Sequence, residues 1–106
     1  MNVLLTGANG FLGSRLAVTL NAKPYVCLTA AVRRSVQLSA MNVVEVQSLD
    51  ANTDWSDAVT EQEVVIHTAA RAHIMKDEAA DPLVEYRRVN VDGTLNLARQ
   101  AVDAGV

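Results

Sequence analysis

The sequence predicts an α/β fold: a partial Rossmann-like, doubly wound parallel sheet of about four strands, in the order 3-2-1-4, with helices on its faces. Three observations carry this. A short apolar run, Val3 to Leu5, ends in Thr6 and then in three glycines spaced three apart, Gly7, Gly10 and Gly13. Strand-like and helix-like stretches alternate along the rest of the chain. The run Val64-Val65-Ile66 is apolar enough for the interior of a parallel sheet.

Each element has its own signal. The first strand is predicted over Asn2–Thr6. An alanine-containing apolar stretch with helical spacing predicts the first helix over Phe11–Asn21. Pro24 breaks the chain before a second strand over Tyr25–Val32, and a polar loop with Arg33, Arg34 and Ser35 follows. The third strand is predicted over Val43–Val46. A short helix over Trp55–Val59 opens with Asp54 as an acidic cap. The fourth strand is predicted over Glu63–His67. In the last helix Asp81 is a good N-cap and Pro82 suits the first helical position. Leu83, Tyr86, Asn90, Thr94, Leu97 and Ala101 then recur at three- and four-residue spacing on one face. This predicts an unbroken helix to Ala104, about 34 Å long, with Gly105 as its C-cap.

Composition narrows the function. At 106 residues the chain is one compact unit at most. Half of it is hydrophobic and only 4% aromatic, so Val, Leu, Ile and Ala must build the core. A net charge of −3 leaves no basic surface for nucleic acid. The single cysteine, Cys27, excludes an internal disulfide and fits a reducing compartment. Its place in the second strand predicts a buried structural thiol. No apolar stretch is long enough to span a bilayer, and no basic-then-apolar leader opens the chain, so a cytoplasmic protein is expected. His67, His73, Asp77 and Glu78 lack compact ligand spacing, so no metal site is expected.

A strand, a glycine turn and a helix together are how a nucleotide-binding sheet receives a pyrophosphate. Gly7 allows the tight turn, Gly10 lets the backbone approach the phosphates, and Gly13 lets the helix pack close to the sheet. The helix N-terminus then offers free N–H groups and the positive end of its dipole. The spacing is G-x-x-G-x-x-G, so the same residues also suit a tight βα turn without ligand. Their position, at the first βα connection of the sheet, favours the anion site.

The stretch Thr6-Gly7-Ala8-Asn9-Gly10-Phe11-Leu12-Gly13 resembles the cofactor motif of the extended short-chain dehydrogenase/reductases, which include the NAD-dependent epimerases and dehydratases of nucleotide sugars. Val64-Val65-Ile66-His67-Thr68-Ala69-Ala70 and Asn90-Val91-Asp92-Gly93-Thr94-Leu95-Asn96-Leu97 carry the same resemblance, in the family's order. The wording from His67 to His73 is most similar to bacterial enzymes of surface-polysaccharide sugar pathways. The resemblance implies the NAD(P)-binding portion of a nucleotide-sugar epimerase or dehydratase. An NADP-dependent reductase of the same family and a non-catalytic dinucleotide sensor are the alternatives. It also implies that family members place a catalytic Tyr-x-x-x-Lys further on. None exists here: Tyr25 is followed four residues later by Thr29, and Tyr86 by Asn90. Residues 1–106 are therefore expected to be the N-terminal part of such a domain, with no catalytic residue. Strand four is then an open edge, and self-association is expected.

The resemblance assigns Gly7, Asn9, Gly10, Phe11, Leu12 and Gly13 to the cofactor. An NAD site places an acid about 20 residues beyond the glycine turn for the ribose 2′-hydroxyl. Here Thr29 to Ser35 holds no acid but two arginines, Arg33 and Arg34. A guanidinium pairs with a 2′-phosphate, which favours NADP over NAD; as solvated loop charges they would choose neither. After strand three, family members place Gly-Asp-Leu, whose acid meets the adenine amino group. This chain has Gln47-Ser48-Leu49, so Ser48 and Leu49 take that place, and Asp50 is either a substitute or a solvent-facing turn acid. Ala69 and Ala70 are the small residues against which the cofactor lies. Asn90 is implied to bond across to the strand-four loop, with Thr94 one turn later. Arg71, Arg87 and Arg88 are left as solvated charges. A nucleotide sugar is the implied substrate of the longer protein.

Overall fold

The computed structural model describes residues 1–33, 42–71 and 80–106. Strand β1 (Asn2–Thr6) lies inside a four-stranded sheet. Its run Val3, Leu4 and Leu5 is buried on both faces, because alternate side chains point to opposite sides. Leu4 joins Trp55, Val59, Leu97 and Ala101 on one face. Val3 and Leu5 join Ala17, Leu28, Ala30 and Val32 on the other. Each buried Val or Leu side chain contributes about 1.5–3 kcal/mol by leaving water.

Strands β2 (Cys27–Val32) and β3 (Asn42–Glu45) extend the sheet on one side of β1, and β4 (Val64–His67) on the other. The order is β3-β2-β1-β4 and every pairing is parallel. The register sets Thr6 level with Ala31 and with His67. The carboxyl ends of three strands therefore meet along one line. Helix α1 (Phe11–Asn21) follows the glycine turn. Helix α2 (Ser56–Val59) is one short turn. The Asp54 carboxylate accepts from the Ser56 amide at 2.9 Å and from its hydroxyl at 2.6 Å.

Three expectations need correction. Tyr25 does not open β2, which starts at Cys27 after a turn in which the Val26 amide donates to the Lys23 carbonyl. Cys27 is exposed rather than buried. It is the first residue of its strand, level with the partly exposed Asn2 at the rim of the sheet remote from the glycine turn. The last helix is not one α-helix. It comprises α3 (Pro82–Arg87), a π-helical segment (Arg88–Gly93) and α4 (Thr94–Asp103). A π turn holds more residues than an α turn, so it shifts the phase of every later residue in the helix. Leu83, assigned to the inner face, is exposed, whereas Leu97 and Ala101 are buried.

Both ends of this composite helix follow the sequence signals. The Asp81 carboxylate accepts from the Val84 amide at 3.2 Å, and Pro82 holds the first position. At the other end Gly105 has φ +85°, its amide donates to the Val102 carbonyl, and the Val106 amide donates to that of Ala101. This is the Schellman pattern. From α4, Asn96 donates to the carbonyls of Asp50 and Thr53, and Gln100 donates to Thr53 while accepting from the Trp55 amide at 2.7 Å. These bonds fix the loop that follows β3.

Candidate functional site

A cleft of about 610 Å³ lies at the carboxyl ends of the strands. Its floor is the glycine turn. Gly7 has φ +66°, and a Cβ there would stand 2.7 Å from the Thr68 hydroxyl and 2.8 Å from the Ala69 amide nitrogen. Only glycine suits both the backbone and the space. A Cβ at Gly13 would overlap the Gly7 carbonyl, so that position binds the helix to the turn. Gly10 is the N-cap of α1 and makes no side-chain cap. Its amide donates to the Gly7 carbonyl at 2.9 Å. The first-turn N–H groups of α1 have no intrahelical acceptor, and they open towards the cleft that Phe11, Leu12 and Gly13 line.

The opposite wall is the segment after β4. The Thr6 hydroxyl oxygen accepts from the amides of Thr68 at 3.1 Å and Ala69 at 3.2 Å. It also lies 2.6 Å from His67 Nδ1. The Thr68 hydroxyl donates to the Thr6 carbonyl at 2.6 Å. His67 Nε2 is 3.2 Å from the Thr94 hydroxyl. Burial of the His67 ring pulls its pKa below the usual value. Further along, Asn90 Oδ1 accepts from the Arg71 amide at 2.8 Å and Nδ2 donates to the Arg71 carbonyl at 2.9 Å. The Arg71 guanidinium lies 5.3 Å from the centre of the Tyr86 ring.

At the far end the cleft is lined by Arg33 after β2, by Ser48 and Leu49 after β3, and by Arg88 and Val89 of the π segment. Glu85 accepts from Arg88 at 2.9 Å and 3.1 Å, and Asp50 at 3.3 Å. Asp50 Oδ1 also accepts from the Asn52 amide at 2.8 Å. The Asn52 amide first, then Arg88 and Thr53, hold the Asp50 carboxyl below the usual carboxylate range. Asp50 is not in the cleft lining, and rather than facing solvent its carboxylate serves the turn to Asn52 and the ion pair with Arg88. Among the described residues that line the cleft there are three arginines, Arg33, Arg71 and Arg88, and no carboxylate.

Gly7, Asn9, Gly10, Phe11, Leu12, Gly13, Arg33, Ser48, Leu49, Ala69 and Ala70 all line this one cleft. Asn90 is not in its lining; it stands behind, gripping the backbone of Arg71, which is. Arg34 lies outside the described residues, as do His73, Asp77 and Glu78. No three of the described His, Cys, Asp and Glu side chains form a metal site. Among the described residues no helix is long and apolar enough to cross a membrane. Sequence reasoning missed Thr6, Thr68, Trp55, Arg88 and Val89, which also line the cleft. Thr6 had a signal, since it closes β1 directly before the first glycine. Arg88 had one in its acidic neighbour three residues earlier, Glu85.

Residues 3–106 match the family model described as the NAD dependent epimerase/dehydratase family. The chain belongs to that family. Within the epimerase/dehydratase family it is 44% identical over 105 residues to UDP-glucose 4-epimerase of Vibrio cholerae, covering 99% of this chain and 32% of that protein. It is similar in structure to MoeE5 in complex with UDP-glucose and NAD, at 31% identity and a TM-score of 0.76, over 100% of this chain and 34% of the other. A short-chain dehydrogenase/reductase superfamily protein from Agrobacterium tumefaciens with bound NAD superposes at a TM-score of 0.78 and 26% identity, over 100% and 30% of the two chains. The chain thus spans about a third of the length of the relatives it matches. The residues of the cleft fit a dinucleotide. The glycine turn leaves backbone where side chains would stand, the helix N-terminus is uncapped, and the lining holds arginines, of which Arg88 is paired with Glu85 and Asp50.

Proposed function

We propose that this chain is the dinucleotide-binding portion of a nucleotide-sugar epimerase or dehydratase, holding the adenosine diphosphate half of a nicotinamide cofactor. One observation carries the reading: the turn from Gly7 to Gly13 and the uncapped start of α1 open onto a cleft whose described lining holds no carboxylate. A pyrophosphate needs N–H donors and positive charge, and both converge there. A bound nicotinamide ring would supply hydride exchange. The residues of this chain bind and orient: the glycine turn takes the phosphates, Ala69 and Ala70 leave room for the ribose, and Asn90 fixes the loop that carries Arg71. Ser48 and Leu49 take the adenine end. The proton-handling residues of such an enzyme belong to sequence outside residues 1–106, as does most of the sugar site. The exposed Leu83, Val91 and Leu95 favour association with a second copy.

NADP is the preferred cofactor in this reading, because Arg33 lines the cleft just beyond β2, where an acid would repel a 2′-phosphate. That same residue favours, as a second reading, an NADP-dependent reductase of the family. Calorimetric titration of NAD and NADP into the protein at its natural length tests both points. In Gly10→Val a branched side chain enters the phosphate path. Its Cβ would stand 3.2 Å from the Gly7 carbonyl oxygen, a tight contact at which the turn must give by a few tenths of an ångström; binding is expected to be lost with the fold largely kept, and circular dichroism of the variant checks the fold. Unchanged affinity would remove the phosphate role. Arg33→Ala is expected to weaken NADP about tenfold to a hundredfold and leave NAD untouched. Equal loss of both would reduce Arg33 to a source of general positive charge.

A further inference from the structure

Three hydroxyl and imidazole groups form a chain that leads away from the cleft: Thr6 at the end of β1, which lines it, then His67 at the end of β4 and Thr94 at the start of α4. The Thr6 oxygen is 1% exposed with the rest of its residue, so it has no recourse to water. It already accepts two amide hydrogens, from Thr68 and Ala69. A hydroxyl has two lone pairs and one hydrogen. Its lone pairs are filled, so its hydrogen points at the third contact, His67 Nδ1, 2.6 Å away. Nδ1 is therefore bare. The neutral ring carries its hydrogen on Nε2, directed at the Thr94 hydroxyl.

We infer that His67 is a positioning residue whose neutral Nε2–H form holds the β4 wall of the cleft in its binding geometry, and whose protonation releases that wall. This rests on the dinucleotide reading above. An imidazolium presents a hydrogen at Nδ1 as well. It would then face an oxygen whose lone pairs are taken, while the hydroxyl hydrogen would lose its only acceptor. One of the two amide bonds must break, and both belong to residues that line the cleft, Thr68 and Ala69. Ala69 also packs against the glycine turn, where a Cβ on Gly7 would stand 2.8 Å from its amide nitrogen. Proton uptake at His67 thus moves the wall against which the dinucleotide lies.

The groups that face the ring are hydroxyls: Thr6 from β1 and Thr94 from α4. No charged group among the described residues acts on it, and burial alone lowers its proton affinity, so the switch operates below the ordinary value of 6.5. By linkage, a ligand that prefers the neutral form must lower that affinity further when bound.

The test measures NAD affinity of the protein at its natural length from about pH 8 to about pH 5, a range in which imidazole titrates. Wild type is expected to lose about tenfold in affinity, the equivalent of about one pK unit of coupling. His67→Asn keeps an acceptor for the Thr6 hydroxyl but takes up no proton, so whatever its affinity at pH 8, that affinity should be the same at pH 5. His67→Phe removes the acceptor and should bind weakly at every pH. A flat wild-type profile, or an Asn variant that falls as wild type does, overturns the inference. Nitrogen-15 spectra of the wild-type imidazole provide a test that does not depend on a variant folding. They should show Nε2 protonated and Nδ1 bare at pH 8, and the opposite tautomer overturns the inference outright. Failure of both NAD and NADP to bind even at pH 8 would overturn the dinucleotide reading, and with it the coupling, whatever the tautomer.

Discussion

On one side of the cleft, the turn from Gly7 to Gly13 works by leaving side chains out. On the other, the segment from His67 to Arg71 is held by side chains that reach in from β1 and from the composite helix. The first wall is rigid for steric reasons: Gly7 sits at φ +66° against Thr68 and Ala69, and Gly13 sits against the Gly7 carbonyl. The second is rigid for hydrogen-bonding reasons: the Thr6 hydroxyl and the Asn90 amide each serve two backbone groups or more. The contrast teaches where each wall is vulnerable. A wall built from absences fails when anything is added. A wall built from clasps fails when a clasp is removed.

The largest effect should come from adding one methyl to the first wall. Gly13→Ala places its Cβ in the Gly7 carbonyl, an atom of the main chain that cannot step aside. Overpacking typically costs about 1–3 kcal/mol and here should reach about 3 kcal/mol. Chemical denaturation would read it, and a loss under about 1 kcal/mol would mean that the turn is softer than its geometry implies. Next comes the removal of a clasp. Asn90→Ala removes both bonds from its side chain to the Arg71 backbone and should cost about 1–3 kcal/mol. Hydrogen exchange at the Arg71 amide should rise in that variant while exchange in β1 does not, and a uniform rise would show that Asn90 supports the fold as a whole. The smallest effect sharpens the comparison. Asn9 is an exposed side chain on the wall that uses none. Asn9→Ala should change stability by less than about 0.5 kcal/mol, and a loss above about 1 kcal/mol in the same denaturation would break the rule.

The first wall was legible in the sequence because its requirement is steric and falls on one residue type. Glycines after an apolar strand announce a tight turn, and Gly7 at φ +66° and Gly13 against the Gly7 carbonyl build one. The sheet was legible for a related reason: Val3 to Leu5 is apolar on both faces, which a parallel strand between neighbours needs. The second wall was harder. Asn90 was found through its phase and the family resemblance, but the hydroxyl of Thr6 carries no sign of the two amides it will serve. His67 showed only its place at a strand end; its bonds join residues 61 and 27 positions apart, and no local pattern encodes them. Cys27 misled because strand membership was equated with burial, and the rim of a sheet is exposed. The π segment was hidden because spacing of three or four residues tolerates one extra position when the neighbours are polar, as Arg88, Asn90 and Asp92 are.

That extra position has a genetic side. In an α-helix each residue turns the chain by about 100°. Loss of a single codon between Arg88 and Gly93 would restore plain α geometry there, and because a π turn spends one residue more than an α turn on the same rotation, the later side chains of α4 would keep their facing. Leu97 and Ala101 would stay in the core, and Asn96 and Gln100 would keep the Thr53 carbonyl that they share. The same loss inside α4, where no turn is wide enough to absorb it, would swing those side chains out of the core. Gene variants of this protein should tolerate a one-residue deletion among residues 88 to 93 better than one among residues 94 to 103.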